Sequence, residues 1–188
     1  IVPINPISLS EYDGEPIIFP VVKGFPNYPR LSEAFSPAIQ PIFLALALYG
    51  SLDPADVSFL KKYEPIGCRD EYTFQQLKSF GILAYINGCI TLCFPRRDDM
   101  VQEETVREVF LVDVEPELEA YIPVQLKSGA RRISHEISGN LETSPLNYAK
   151  EILNLYQNKA KLIITSRLHA AVPCLAMGIP VVFARNTF

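Results

Sequence analysis

Apolar residues occur along this chain in short runs broken by polar or proline-containing stretches, and the pattern is most regular in the second half. There "VFLVDV" reads as a strand, "EPELEAYIPVQLKSG" as a helix and "RRISHEI" as a strand. "SPLNYAKEILNLYQNKA" reads as a helix with Leu146, Ala149, Ile152, Leu153 and Tyr156 on one face. "KLIITS" follows as a strand, then a helix from near Leu168 and a last strand, "IPVVFA". Strands that alternate with helices imply right-handed crossovers and a parallel sheet covered by helices on both faces, the α/β class.

The first half carries similar elements less cleanly. Prolines crowd "IVPINPISLSEYDGEPIIFPVVKGFPNYP", and each removes an amide donor, so loops around short strands are expected, the clearest strand being "PIIFPVV". "IQPIFLALALYG" is a continuous apolar run, expected to form a strand buried on both faces. Asp53 caps a predicted helix in "PADVSFLKKYE", whose proline falls early, where its missing N–H costs little. A second helix opens near Asp70, with Tyr72, Phe74, Leu77 and Phe80 at roughly helical spacing and Gly81 as its stop. "LAYINGCITLCF" reads as a strand, an Asn-Gly turn and another strand. The charged stretch "PRRDDMVQEETVRE" has no hydrophobic face and reads as a solvated linker. The chain thus divides into a first domain over 1–94, a linker over 95–108 and a second domain over 109–188.

Composition narrows the classes. With 188 residues, 48% hydrophobic and 20% charged, the chain is globular rather than disordered or fibrous. A net charge of −4 offers no basic stripe for a nucleic acid, although a local pocket can still hold a small anion. Cys68, Cys89, Cys93 and Cys174 are irregularly spaced, and with two histidines and no paired CxxC they indicate neither zinc nor a disulfide framework. Reduced, buried thiols are expected. The longest apolar run is far shorter than the roughly 20 residues of a membrane span, and no signal peptide is visible; a cytoplasmic location is the expectation that goes with the reduced thiols. The sequence begins at Ile1 without methionine and stops just after a strand-like run, so incompleteness at both ends is expected.

The chemistry concentrates where a strand hands over to a helix. In open parallel sheets ligands bind outside the carboxyl ends of the strands, beside helix N-termini. Ser166, Arg167, Leu168 and His169 fall there, between "KLIIT" and the next helix. The helix end is attractive to anions through its amides and dipole, Arg167 adds a planar cationic fork, and His169 can exchange a proton near neutral pH. The plainer alternative is an arginine paired with a local carboxylate and a structural histidine. Arg69 and Asp70 repeat the arrangement in the first domain, where ordinary capping is again the alternative. His135, beside Glu136 in a predicted strand, reads as structural, and Arg131 and Arg132 fall at that strand's amino end, away from ligands.

Two stretches resemble a known family. "TSRLHAAVPCLAMGIPVV" is similar to the signature of the polysaccharide pyruvyl transferases, and "YEPIGCRDEYTFQQLKSFGILAYINGCITL" is similar to their upstream region. The similarity runs in order from about Gln40 to Ala184. It implies Rossmann-like parallel sheets in a two-domain, GT-B-like arrangement around a cleft. It also implies transfer of the enolpyruvyl unit of phosphoenolpyruvate onto two hydroxyls of a polysaccharide or its sugar precursor, as a ketal, with release of phosphate. By the same resemblance Arg69, Ser166, Arg167 and Leu168 would hold the donor's phosphate and carboxylate, and His169 would be the catalytic acid or base. The scheme calls for no cofactor or metal. The partners it implies are phosphoenolpyruvate and the sugar acceptor, in exopolysaccharide synthesis, with no nucleic acid; a homodimer would cover an exposed sheet edge. Two other readings stay open: an inactive relative that serves as a binding or scaffold domain, and a nucleotide-sugar glycosyltransferase of the same architecture.

Overall fold

The structure is a computed structural model that describes residues 8–24, 30–97, 107–136 and 144–186. The chain forms two compact units, Ile1–Ile90 and Thr91–Phe188.

In the first unit, strands β1 (Ile17–Val21) and β2 (Ile39–Phe43) pair in parallel, as do β3 (Ile66–Cys68) and β4 (Ala84–Ile86). An isolated parallel bridge between Leu46 and Cys68 joins the chain after β2 to β3. Helix α1 (Pro54–Lys61) starts as its sequence dictates, with the Asp53 carboxylate accepting from the Asp56 amide. Helix α2 (Glu71–Ser79) is capped in the same way by Asp70 and is followed by Gly81 at φ 67°, a left-handed position that suits glycine. Phe43, Leu46, Leu60, Ile66 and Leu77 are buried in one core. Gly67 packs against the chain after β2, where a Cβ would lie 2.5 Å from the Leu44 carbonyl oxygen.

Two expectations for this unit are corrected. The β2 run is not buried on both faces: positions alternate, with Gln40 and Ile42 exposed beside Ile18 and Pro20 of β1, so one face of this strand pair meets solvent. No second strand follows the Asn-Gly turn. The amides of Asn87 and Gly88 both donate to the Cys68 carbonyl and the Asn87 side chain donates to Leu44 O, which turns the chain back across β3. Ile90–Cys93 is a single 3-10 turn.

The second unit holds a four-stranded parallel sheet in the order β6-β5-β7-β8, formed by β5 (Glu108–Val112), β6 (Arg131–Ile133), β7 (Ala160–Thr165) and β8 (Val181–Phe183). Its longer helices are α5 (Pro145–Lys159) and α6 (Leu168–Ala176). The predicted helix after β5 is broken into α3 (Pro116–Glu119) and α4 (Val124–Lys127), because Pro123 has no amide to continue the first and stands as the cap of the second. Along α5, Tyr156 is buried, whereas Leu146 and Ala149 near its start are exposed. Strand β6 ends at Ile133, four residues earlier than "RRISHEI" suggests, so His135 and Glu136 lie past its carboxyl end.

Residues 98–106 of the expected linker lie outside the described residues. Arg97, just before them, is buried rather than solvated: its guanidinium donates to Ala160 O at 2.6 Å and its amide to Met177 O at 3.1 Å. Cys68 and Cys174 are buried, and burial pushes their thiols up to about 11 and about 12. Cys93, expected to be buried, is exposed.

Candidate functional site

In the second unit's sheet the order reverses between β5 and β7, since β5 connects outward to β6 on one side while β7 and β8 follow on the other. Loops leaving such a reversal diverge and open a crevice at the carboxyl ends of the strands. Here a cleft of about 880 Å³ is lined by residues from the ends of all four strands, among them Asp113, His135, Ser166, Arg167, His169 and Arg185.

Side chains tie the loops together. The Thr165 hydroxyl donates to Val112 O at 2.7 Å and accepts from the Arg167 amide at 3.0 Å, which fixes the turn from β7 into α6. Ser166 Oγ accepts from the Glu115 amide at 3.0 Å, and the Glu115 carboxylate accepts from the Asn186 amide at 2.8 Å. Arg167 is the N-cap residue of α6 and caps it with no side-chain bond, so its guanidinium is committed elsewhere. Its Nη2 donates to Glu136 Oε1 at 2.7 Å. Its Nε lies 2.5 Å from Asp113 Oδ2 but is not aligned for a hydrogen bond, so that contact is an ion pair by proximity. Leu168 and His169 form the exposed first turn of the helix, where amides have no carbonyl one turn earlier to bond.

The structure therefore brings Ser166, Arg167, Leu168 and His169 into one cleft. Arg69 belongs to the first unit, half-buried after β3, with its amide donating to Leu46 O at 2.8 Å. Five charged or titratable residues of the cleft were not among the expected site residues: Asp113, Glu115, Glu136, Arg185 and His135, the last set aside as structural. The signal for Asp113 and His135 was present, for both follow a parallel strand by one or two residues, as Arg167 does.

His135 does have a structural bond, Nε2 to the Tyr156 hydroxyl at 2.7 Å, and its amide donates to Asp113 Oδ2 at 2.8 Å. With His169 it lines both the polar cleft and a smaller apolar cavity of about 250 Å³ walled by Phe94, Tyr148, Leu153, Tyr156 and Pro173. Burial lowers the His135 pKa, and the Arg167 charge lowers it further against an opposing pull from Asp113. For Asp113, burial acts to raise the pKa. Hydrogen bonds from Ser134 and the His135 amide, with the Arg167 and His135 charges, outweigh burial and hold it below the usual carboxylate range.

Both shifts are downward, so both groups stabilise the fold at high pH and lose that contribution as pH falls. For His135 the loss begins near its ordinary value of about 6.5, and for Asp113 near about 4. The melting temperature is expected to drop between pH 7.5 and pH 5.5, and His135→Gln to flatten that drop, both readable by thermal melts at the two values.

Among the described residues, no group of three or more His, Cys, Asp or Glu is placed to hold a metal ion, and no helix is long and apolar enough to cross a membrane. An all-parallel sheet with an arginine and two histidines gathered at its order reversal defines an α/β protein with a ligand-type crevice at the strand ends. The model of one family, polysaccharide pyruvyl transferase, matches residues 30–187, and the chain belongs to that family. No curated protein and no solved structure matches it.

Proposed function

We propose that the protein transfers the pyruvyl unit of phosphoenolpyruvate to two hydroxyls of a polysaccharide or its sugar precursor. One hydroxyl adds across the enol double bond, whose methylene carbon gains a proton. The second hydroxyl then displaces phosphate, which departs with the remaining proton, and a pyruvate ketal is left. His169 serves as the acid or base. Arg167, Ser166 and Leu168, with Arg69 from the first unit, hold the donor's phosphate and carboxylate.

The observation that carries this reading is the placement of Arg167 and His169 at the start of α6, in a cleft that also contains Arg185. The cleft includes three carboxylates, Asp113, Glu115 and Glu136, so a dianionic donor must find an arginine that can release its partner. Arg167 can: Glu136 is 75% exposed, and ion pairs that open to water are worth little. The GT-B-like arrangement, a cytoplasmic site of action in exopolysaccharide synthesis, independence of any cofactor and a homodimer belong to the same reading.

Calorimetry with phosphoenolpyruvate tests it, with inorganic phosphate and a nucleotide sugar as comparators. Phosphoenolpyruvate is expected to bind most tightly and to protect the protein against heat. Preference for the nucleotide sugar overturns the donor assignment in favour of glycosyl transfer. Donor binding without turnover on any acceptor leaves an inactive binding domain.

A further inference from the structure

Among the described residues, Asp113 is the one non-glycine at positive φ, 42°, a left-handed conformation that costs most residues energy but that aspartate and asparagine tolerate best. It directly follows β5, at the sheet's order reversal. Its carboxylate is largely buried, with the side chain 16% exposed; it accepts from the Ser134 hydroxyl and the His135 amide and forms an ion pair by proximity with the Arg167 guanidinium. A strained residue that meets three groups from two other strand ends is the kind of position at which backbone strain accompanies function.

We propose that Asp113 is the positioning residue of the site: it touches no ligand, but it sets the direction of the Arg167 guanidinium and holds the loop that carries His135 at the cleft. Glu136, the other carboxylate on Arg167, cannot substitute, because it is open to water while Asp113 is anchored on the central strand. The competing view makes Asp113 a mere counter-charge. The two views predict opposite signs. If Asp113 only neutralises Arg167, its removal frees a positive charge and tightens binding of an anion. If it positions Arg167, its removal weakens that binding.

The inference rests on the donor reading for its ligand but not for its first readout. The chain has two histidines, and both line the cleft, so imidazole resonances of histidine-labelled protein report on it directly. The charged and titratable groups about His135 are Asp113, Arg167 and Tyr156, with Glu136 next in sequence. Asp113→Asn keeps the left-handed backbone and the shape while removing the charge. Asp113→Gly keeps the backbone and removes the carboxylate altogether, and serves if the first variant folds poorly. In both, without ligand, the His135 titration midpoint is expected to fall by about one unit, the size of effect a facing charge exerts. With phosphoenolpyruvate added, the resonances of both histidines are expected to shift in the unmodified protein. The titration concentration is expected to rise about tenfold in the variants, the loss seen when a supporting partner of a binding group is removed. An unchanged His135 midpoint, or binding as tight as or tighter than in the unmodified protein, overturns the proposal. If phosphoenolpyruvate shifts neither histidine in the unmodified protein, the donor reading fails, and inorganic phosphate titrated on the same resonances decides for or against Asp113: weaker phosphate binding in the variants supports the positioning role, and equal or tighter binding overturns it.

Discussion

Arg167→Ala is expected to lower the affinity for phosphoenolpyruvate at least about 100-fold, roughly 2.7 kcal/mol. The size follows from what is left behind. Arg167 stands between Asp113 and Glu136, so its truncation removes a cation and uncovers two carboxylates facing the incoming anion. Arg185 remains, but it is 65% exposed and its own nearest carboxylate, Glu115, lies 4.0 Å away, so it acts as a screened charge rather than a clamp. Arg167→Lys keeps the charge and loses the fork that addresses two oxygens at once, and a loss of about tenfold is expected. Calorimetric titration at moderate salt, with phosphate as competitor, measures both. Affinity within threefold of the unmodified protein for the alanine variant would mean that the donor is held elsewhere.

Tyr156→Ala is expected to cost about 3–5 kcal/mol of folding stability, the range for deleting a buried aromatic ring. Tyr156 is fully buried, stacks edge-on against Phe110 with ring centres 5.9 Å apart, and joins the core under the sheet with Ile163 and Cys174. Its hydroxyl is also the partner of His135 Nε2. Burial raises the hydroxyl's pKa, so it stays protonated, and the tautomer of His135 sets which of the two donates. Tyr156→Phe separates the two roles: the ring stays, the bond goes, and about 1 kcal/mol is lost because a half-buried ring nitrogen loses its partner. Urea unfolding followed by circular dichroism suits both variants, since the chain has no tryptophan. Equal losses for Ala and Phe would mean that the hydrogen bond, not the packing, holds this corner of the core.

Much of the local structure was legible because its causes are local. Asp53 and Asp70 announce their helices by carboxylates that reach amides three residues on, and Gly81 ends the second because its φ of 67° suits glycine. The alternation after residue 108 implied a parallel sheet, and β5 to β8 form one. Where the reading failed, a partner distant in the chain decided. "RRISHEI" has strand composition throughout, yet β6 stops at Ile133, because the Asp113 carboxylate takes the His135 amide and turns the chain out of the sheet. The second apolar run after Asn87-Gly88 never becomes a strand, because the turn is spent on Cys68 O and Leu44 O.

The site divides in the same way. Ser166, Arg167, Leu168 and His169 are contiguous, so their place at a strand-to-helix junction follows from the residue pattern alone. Asp113, Glu136 and Arg185 lie 54, 31 and 18 residues from Arg167 in the numbering and are ordinary surface types in sequence. Local propensities and periodicity act over a few residues, and they settled which segments are strands and helices and which junction could receive an anion. The strand order β6-β5-β7-β8 was chosen by long-range packing, and that order brings Asp113, Glu136 and Arg185, from the ends of the other three strands, into one cleft with Arg167.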